Sequence, residues 1–316
     1  MSAAFRGHLA VRRRPSVCAS RWIGFGMVVA LAGRPAAGVA QHPCFDGSAD
    51  IETGCTIETP RWMAEFATLS ANGVIGGLTA GLVRHFRGDS FADAFVAGVL
   101  GGVTTYAGKR VVAERFVGAG MLGRVVSAAG ASMVRNATSG ELLLSRITAP
   151  VGPVWVELRR GPGGTALRAR IDPAALGWLV YGLAEPELDF DAGESLSAGT
   201  AVFRTRGKVL AFGDDETHAA GVTNAGVIFL ADVPAYGESF ERRALAHERV
   251  HVLQEDALAI MWTDPLAGLA FRGLGPDSPT RHIAVNVSTE LMRALARFQS
   301  RHEARPWEME SIFLAR

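Results

Sequence analysis

The sequence predicts an α+β protein, with a Gly/Ala-rich helical N-terminal region, a small mixed or antiparallel sheet and a helical C-terminal part. Three observations carry that expectation. Between residues 61 and 147, small residues recur at three- and four-residue intervals inside apolar runs, as in helices that approach closely. From about Ile147 the chain turns to short alternating segments punctuated by Gly and Pro, the pattern of strands and turns. After Pro234, helical periodicity returns over long stretches.

The first forty residues resemble an export signal. Arg6, Arg12, Arg13 and Arg14 give a basic start, and Ile23 to Gly33 is a short apolar run. Gly38-Val39-Ala40 then supplies small residues for cleavage before Gln41, with an uncleaved anchor as the alternative. Residues 41–60 hold Cys44 and Cys55, whose spacing near a mature N-terminus suggests one small disulfide loop. The expected location is therefore exported, periplasmic or membrane-associated. The 316 residues carry a net charge of +1, which gives no whole-chain case for a nucleic-acid partner. Hydrophobic residues make up 48 %. The mean hydropathy of +0.18 points toward membrane contact.

In the helical region, "GVIGGLTAG" from Gly73 recurs as "GVLGGVTTYAG" from Gly98, and "GAGMLGRVVSAAGASMV" from Gly118 has the same character. Ser90, in the polar turn between the first two runs, is placed to cap the second helix. Such helices either insert into or lie against a membrane, or pack as a tight soluble hairpin; Asp93, Arg115 and Arg124 would be costly in lipid. Residues 148–316 form the second expected unit. Val154–Arg159 and Ala166–Ile171 are expected strands around a Gly-Pro-Gly-Gly turn. "PAALGWLVYGL" is a short apolar helix, and "ELDFDAG" and "TAVFRTRGKVLAFG" alternate like strands. "GVIFLAD" is a compact strand stopped by Pro234. A helix over residues 240–261, capped by Ser239, follows. A loop from Trp262 to Arg281, a helix over 287–303 and a short helical "WEMESIFLAR" complete the chain.

The helix over 240–261 contains His247-Glu248-Arg249-Val250-His251, an H-E-x-x-H pattern. One helical turn separates the two histidines, so both imidazoles can converge on one Zn²⁺. Such an ion lowers the pKa of its bound water to about 7, and Glu248 is then the general base. A third protein ligand is required. Gln254 and Ala257 stand where the elongated metzincin motif needs Gly and His, which excludes that class. Glu308 and Glu310 in "RPWEMESIF" are the remaining candidates. Glu255 is a candidate partner of a ligating imidazole. His282 and Tyr236 are weaker candidates for stabilising an oxyanion, and His218 beside Asp214, Asp215 and Glu216 for a metal-binding turn.

"LAHERVHVLQ" followed by "RPWEMES" resembles the gluzincin zinc peptidases, and in part the HtpX-like membrane zinc proteases. The resemblance covers about residues 226 to 314. It implies zincin-like C-terminal helices, a peptide or protein substrate, and Glu308 as the third ligand, with Glu310 as its support or the alternative ligand. The strand "GVIFLAD" takes the place of an edge strand that pairs with an extended substrate. Ser311 stands where that family usually has Ala, and Ile312 where the HtpX-like proteins carry Asp. The expectation is an exported zinc metallopeptidase. The alternatives are a non-enzymatic, membrane-associated envelope protein with a structural or vestigial metal site, and a zinc hydrolase acting on other bonds.

Overall fold

The computed structural model describes residues 60–114, 116, 118–161, 163–206, 210–211, 218–232, 237–270, 282–286, 288–296 and 306–315. The expected signal, Cys44 and Cys55, Asp214 to Glu216 and Tyr236 lie outside them. So do the side chain of His218 and most of the expected loop after Trp262. Mixed helices and small sheets make the chain α+β.

The Gly/Ala-rich region is three helices, α1 (Arg61–Phe86), α2 (Phe91–Val112) and α3 (Ala119–Ser139). Ser90 caps α2 by accepting a hydrogen bond from the Asp93 amide. The internal repeat is an antiparallel seam: Gly76 of its first copy lies against Gly98 and Gly102 of its second. A Cβ at Gly102 would press on the Asn72 carbonyl, so the two backbones touch. The opposite face of α2 meets α3 in the same way, with Gly101 and Gly108 against Gly130, Gly123 and Ser127. The small residues thus face one another, and larger apolar side chains such as Phe66, Val74, Val96, Leu100 and Met121 are exposed. Among the described residues, α1 is the one helix long and apolar enough to cross a membrane.

Strands β1 (Arg146–Val151), β2 (Val154–Gly161) and β3 (Gly164–Ile171) form an antiparallel sheet. Gly161 pairs with Gly164, so the expected hairpin is present with longer strands. Helix α4 (Pro173–Ala184) starts at Asp172, whose carboxylate accepts from the Ala174 and Ala175 amides. Strand β4 (Leu188–Phe190) and helix α5 (Ala192–Ala198) follow. Asp191 caps α5, and Gly199 ends it in the left-handed region. Next come β5 (Val202–Thr205), the two-residue pair β6 (Leu210–Ala211) and β7 (His218–Ala219), β8 (Gly221–Asn224) and β9 (Val227–Leu230). The order in the second sheet is β4-β5-β9-β8, with β5 and β9 parallel and the other pairs antiparallel. The expected edge strand, β9, is therefore interior, and all four of its residues are buried. A strand buried on both faces reads as a continuous apolar run, which is what "VIFL" is. The edges are β4 and β8, and β8 is the one that pairs with β9.

Helix α6 (Gly237–Ala270) is longer than expected at both ends. Ser239 lies inside its first turn, and the positive φ of Gly237 marks the start. The helix also continues through Pro265, which removes one backbone donor without ending the remaining hydrogen bonds. Helices α7 (Ser288–Ala296) and α8 (Pro306–Leu314) complete the described chain. Tyr106 and Val112 of α2 share one apolar cluster with Ile228 of β9, Val250 and Leu253 of α6 and Leu314 of α8. The helical region and the remainder therefore share a core across residue 148.

The glycine seam predicts two changes of opposite sign. Gly102→Ala must separate α1 from α2 and lose about 1–3 kcal/mol of stability. Gly177 of α4 has nothing within 4 Å of an added Cβ, so Gly177→Ala is expected to gain about 0.5–1 kcal/mol. Denaturant unfolding of the two variants checks both.

Candidate metal centre

Three side chains converge between α6 and α8. His247 Nε2 lies 3.0 Å from His251 Nε2. Glu308 Oε2 lies 3.1 Å from His251 Nε2 and 3.2 Å from His247 Nε2. A tetrahedral ion with bonds of about 2.0–2.1 Å holds its ligand atoms about 3.3 Å apart. Two imidazole nitrogens and a carboxylate oxygen at this spacing fit a zinc ion. Glu310, the other candidate ligand, points elsewhere: its carboxylate accepts from Asn72 Nδ2 and Lys109 Nζ, both at 2.7 Å, and from Gln254 Nε2 at 2.8 Å.

Gln254 orders the imidazole. Its NH2 donates to the Trp307 carbonyl at 3.0 Å and to Glu310, which leaves its oxygen to accept from His251 Nδ1 at 2.8 Å. With Nδ1 carrying the proton, the Nε2 lone pair is free for an ion. This corrects the expectation for Glu255. Its carboxylate accepts from the Gly226 amide at 2.8 Å and from Thr289 Oγ1 at 2.7 Å, away from the imidazole. The reason is rotational: position 254, three residues after His251, reaches the ring, and the next position turns toward the β8–β9 hairpin.

Glu248 is buried, with 5 % of its surface exposed. Thr223 Oγ1 of β8 donates to Glu248 Oε2 at 2.9 Å. A Cβ at Gly221 would stand 2.7 Å from Glu248 Cγ, so glycine there is what leaves the carboxylate its place. Burial of His251 works against its positive charge, yet the negative charges of Glu308 and Glu248 lift its pKa to about 9. A proton on Nε2 and a metal ion would compete for the same position. Burial raises the Glu255 carboxyl to about 7 against its two hydrogen bonds. Burial acts on Glu310 in the same direction, but Lys109 and the hydrogen bonds outweigh it and hold the group below the ordinary carboxylate range.

Sequence reasoning missed Gln254, Asn72, Lys109, Thr223 and Gly221. Only Gln254 had a local signal, as a polar residue three positions after His251 on the same helix. His282 is exposed. Of the candidate residues, the structure brings His247, Glu248, His251 and Glu308 together, and leaves Glu255 and Glu310 in supporting contacts. Comparison of the chain with protein-family models, curated proteins and solved structures returns no match.

Gln254→Ala frees the His251 ring and is expected to weaken zinc binding by about 10–100-fold. Glu255→Gln is expected to leave it unchanged. Competition with a chromophoric chelator measures both.

Proposed function

We propose that the chain is a zinc-dependent peptidase of the gluzincin type, acting outside the cytoplasm on peptide or protein substrates. The observation that carries this reading is the convergence of His247, His251 and Glu308, with the buried carboxylate of Glu248 near enough to act on the His251 charge. The two imidazoles and the Glu308 carboxylate would hold the ion. When bound, zinc supplies a Lewis acid that acidifies water and polarises a carbonyl.

The remaining steps belong to the chain. Gln254 keeps His251 in the ligating tautomer. Thr223 occupies one oxygen of Glu248 and aims the other. Glu248 takes a proton from the attacking water and returns it to the leaving amine nitrogen. The outer strand β8 lies beside Glu248, where an extended peptide can add to a sheet edge by backbone pairing.

The test is metal analysis of the purified protein together with Glu248→Gln on unfolded-protein substrates. One zinc per chain is expected in both forms, with hydrolysis about 10²–10⁴-fold slower in the variant. Parent protein without zinc, or equal rates, would overturn the proposal.

The exposed apolar residues of α1 to α3 favour a second reading, a non-enzymatic envelope protein held on a membrane. The full chain is expected to float with phospholipid vesicles, and Val96→Glu with Leu100→Glu to weaken that flotation. Vesicle binding by a zinc-loaded chain that cleaves nothing would favour the second reading. Binding together with hydrolysis would describe a membrane-held peptidase.

A further inference from the structure

Ser311 occupies a place in the metal centre that the proposed mechanism does not use. It lies on α8 one turn after Glu308 and is fully buried, with 0 % of its surface exposed. Its hydroxyl donates to the Glu308 carbonyl at 2.9 Å. That commits its proton, so it presents lone pairs to its other neighbours. Those neighbours are His247 Nε2 at 3.4 Å and His251 Nε2 at 3.5 Å.

These separations are long for hydrogen bonds, whose heavy atoms usually stand about 2.7–3.2 Å apart. They are close to the roughly 3.3 Å between neighbouring ligands of a tetrahedral zinc ion. Four atoms are thus gathered in one place: His247 Nε2, His251 Nε2, Glu308 Oε2 and Ser311 Oγ. Five of the six edges of that figure are 3.0, 3.1, 3.2, 3.4 and 3.5 Å. The position is also one where this chain departs from the small apolar residue of the motif it resembles.

We propose that Ser311 Oγ is a fourth, displaceable ligand of the metal. The loaded site then rests closed. A neutral hydroxyl is a weaker ligand than the carboxylate and imidazoles beside it, so it is the group that an incoming water or substrate carbonyl displaces. No bond other than metal coordination changes, and the hydroxyl keeps its proton on the Glu308 carbonyl. The proposal rests on the zinc reading above and adds regulation to it: the centre is latent until something competes for the corner that Ser311 fills.

The experiment uses the full-length chain loaded with Co²⁺ or Zn²⁺, as parent, Ser311→Ala and Ser311→Cys. Both substitutions are small and spare the packing of α8. Cobalt-loaded Ser311→Cys is expected to show a thiolate-to-cobalt charge-transfer band that the parent lacks. Ser311→Ala is expected to bind zinc about tenfold more weakly, at the low end of what losing a supporting group costs. Its cobalt form should also take up added azide more readily, because water now holds the corner. A parent that takes up neither metal overturns the zinc reading and this proposal with it. A parent that binds metal, with no band in the Cys variant or unchanged zinc and azide affinity in the Ala variant, overturns the Ser311 assignment alone.

Discussion

The arrangement depends on one buried charge. The Glu310 carboxylate lies at the junction of α1, α2, α6 and α8, and each of the other three helices contributes a donor to it: Asn72, Lys109 and Gln254. Lys109 also donates to Asn72 Oδ1 at 2.9 Å, so the donors are tied to each other as well as to the acid. A carboxylate removed from water is costly unless paired and hydrogen-bonded, and removing one partner of such a pair typically costs about 3–5 kcal/mol. The helices are therefore held in the one arrangement that supplies all three donors. Gln254 completes this cluster and begins the next, because its oxygen holds His251. The position of the His251 imidazole is set by a charge that lies outside the His247, His251 and Glu308 group.

The Gly/Ala-rich helices acquire a purpose from this. Gly102 packs on the Asn72 carbonyl, which fixes the height of α1 against α2 beside the residues that serve Glu310. A seam of larger residues would move Asn72 and Lys109 apart by the width of a side chain. A second buried pair fixes α3: Arg124 Nε lies 2.6 Å from Asp256 Oδ2, and its Nη2 lies 3.1 Å from Oδ1 of the same carboxylate. Asp256 is on α6, beyond the histidines. The helical region is thus bolted to the H-E-x-x-H helix directly by the Arg124–Asp256 pair and, through Glu310 of α8 and Gln254, by the Lys109–Glu310 pair. This explains why residue 148, where the texture of the sequence changes, does not separate two cores.

What the sequence revealed follows from how local each feature is. The spacing of His247 and His251 is a property of one helix, so it was legible. The small-residue stripe was legible for the same reason, although its partner was not. Glu308 and Glu310 were both open as the third ligand, and only a resemblance chose between them, because 57 residues separate Glu308 from His251. Asn72 and Lys109 were hidden entirely, since nothing in two apolar helices says that their few polar side chains point at a distant carboxylate. Strand β8 was missed because "GVTN" is short and only half-buried; its identity comes from pairing with β9. Its absence made the neighbouring apolar run look like the edge. Glu255 was misassigned by one position, since helical spacing alone does not show which of two adjacent polar residues reaches a ring.

The β8–β9 hairpin shows how a non-local element can still be specified closely. Its turn places Ala225 at φ 47° and Gly226 at φ 77°, the two positive values of a type I′ turn. Alanine is a poor residue for that conformation, so the turn must be held from outside. Thr289 accepts from the Ala225 amide at 2.9 Å, and Glu255 accepts from the Gly226 amide. Farther along the same strand, Thr223 donates to Glu248. Glu248 and Glu255 are seven residues apart on α6, two turns along one face, so one helix grips one hairpin at both ends. The grip runs in both directions. Glu255 fixes the hairpin, and the hairpin in turn fixes Glu248 through the Thr223 hydroxyl and the bare backbone of Gly221. The carboxylate assigned as the base therefore owes its aim to a strand whose own position is set from the same helix that carries the two histidines.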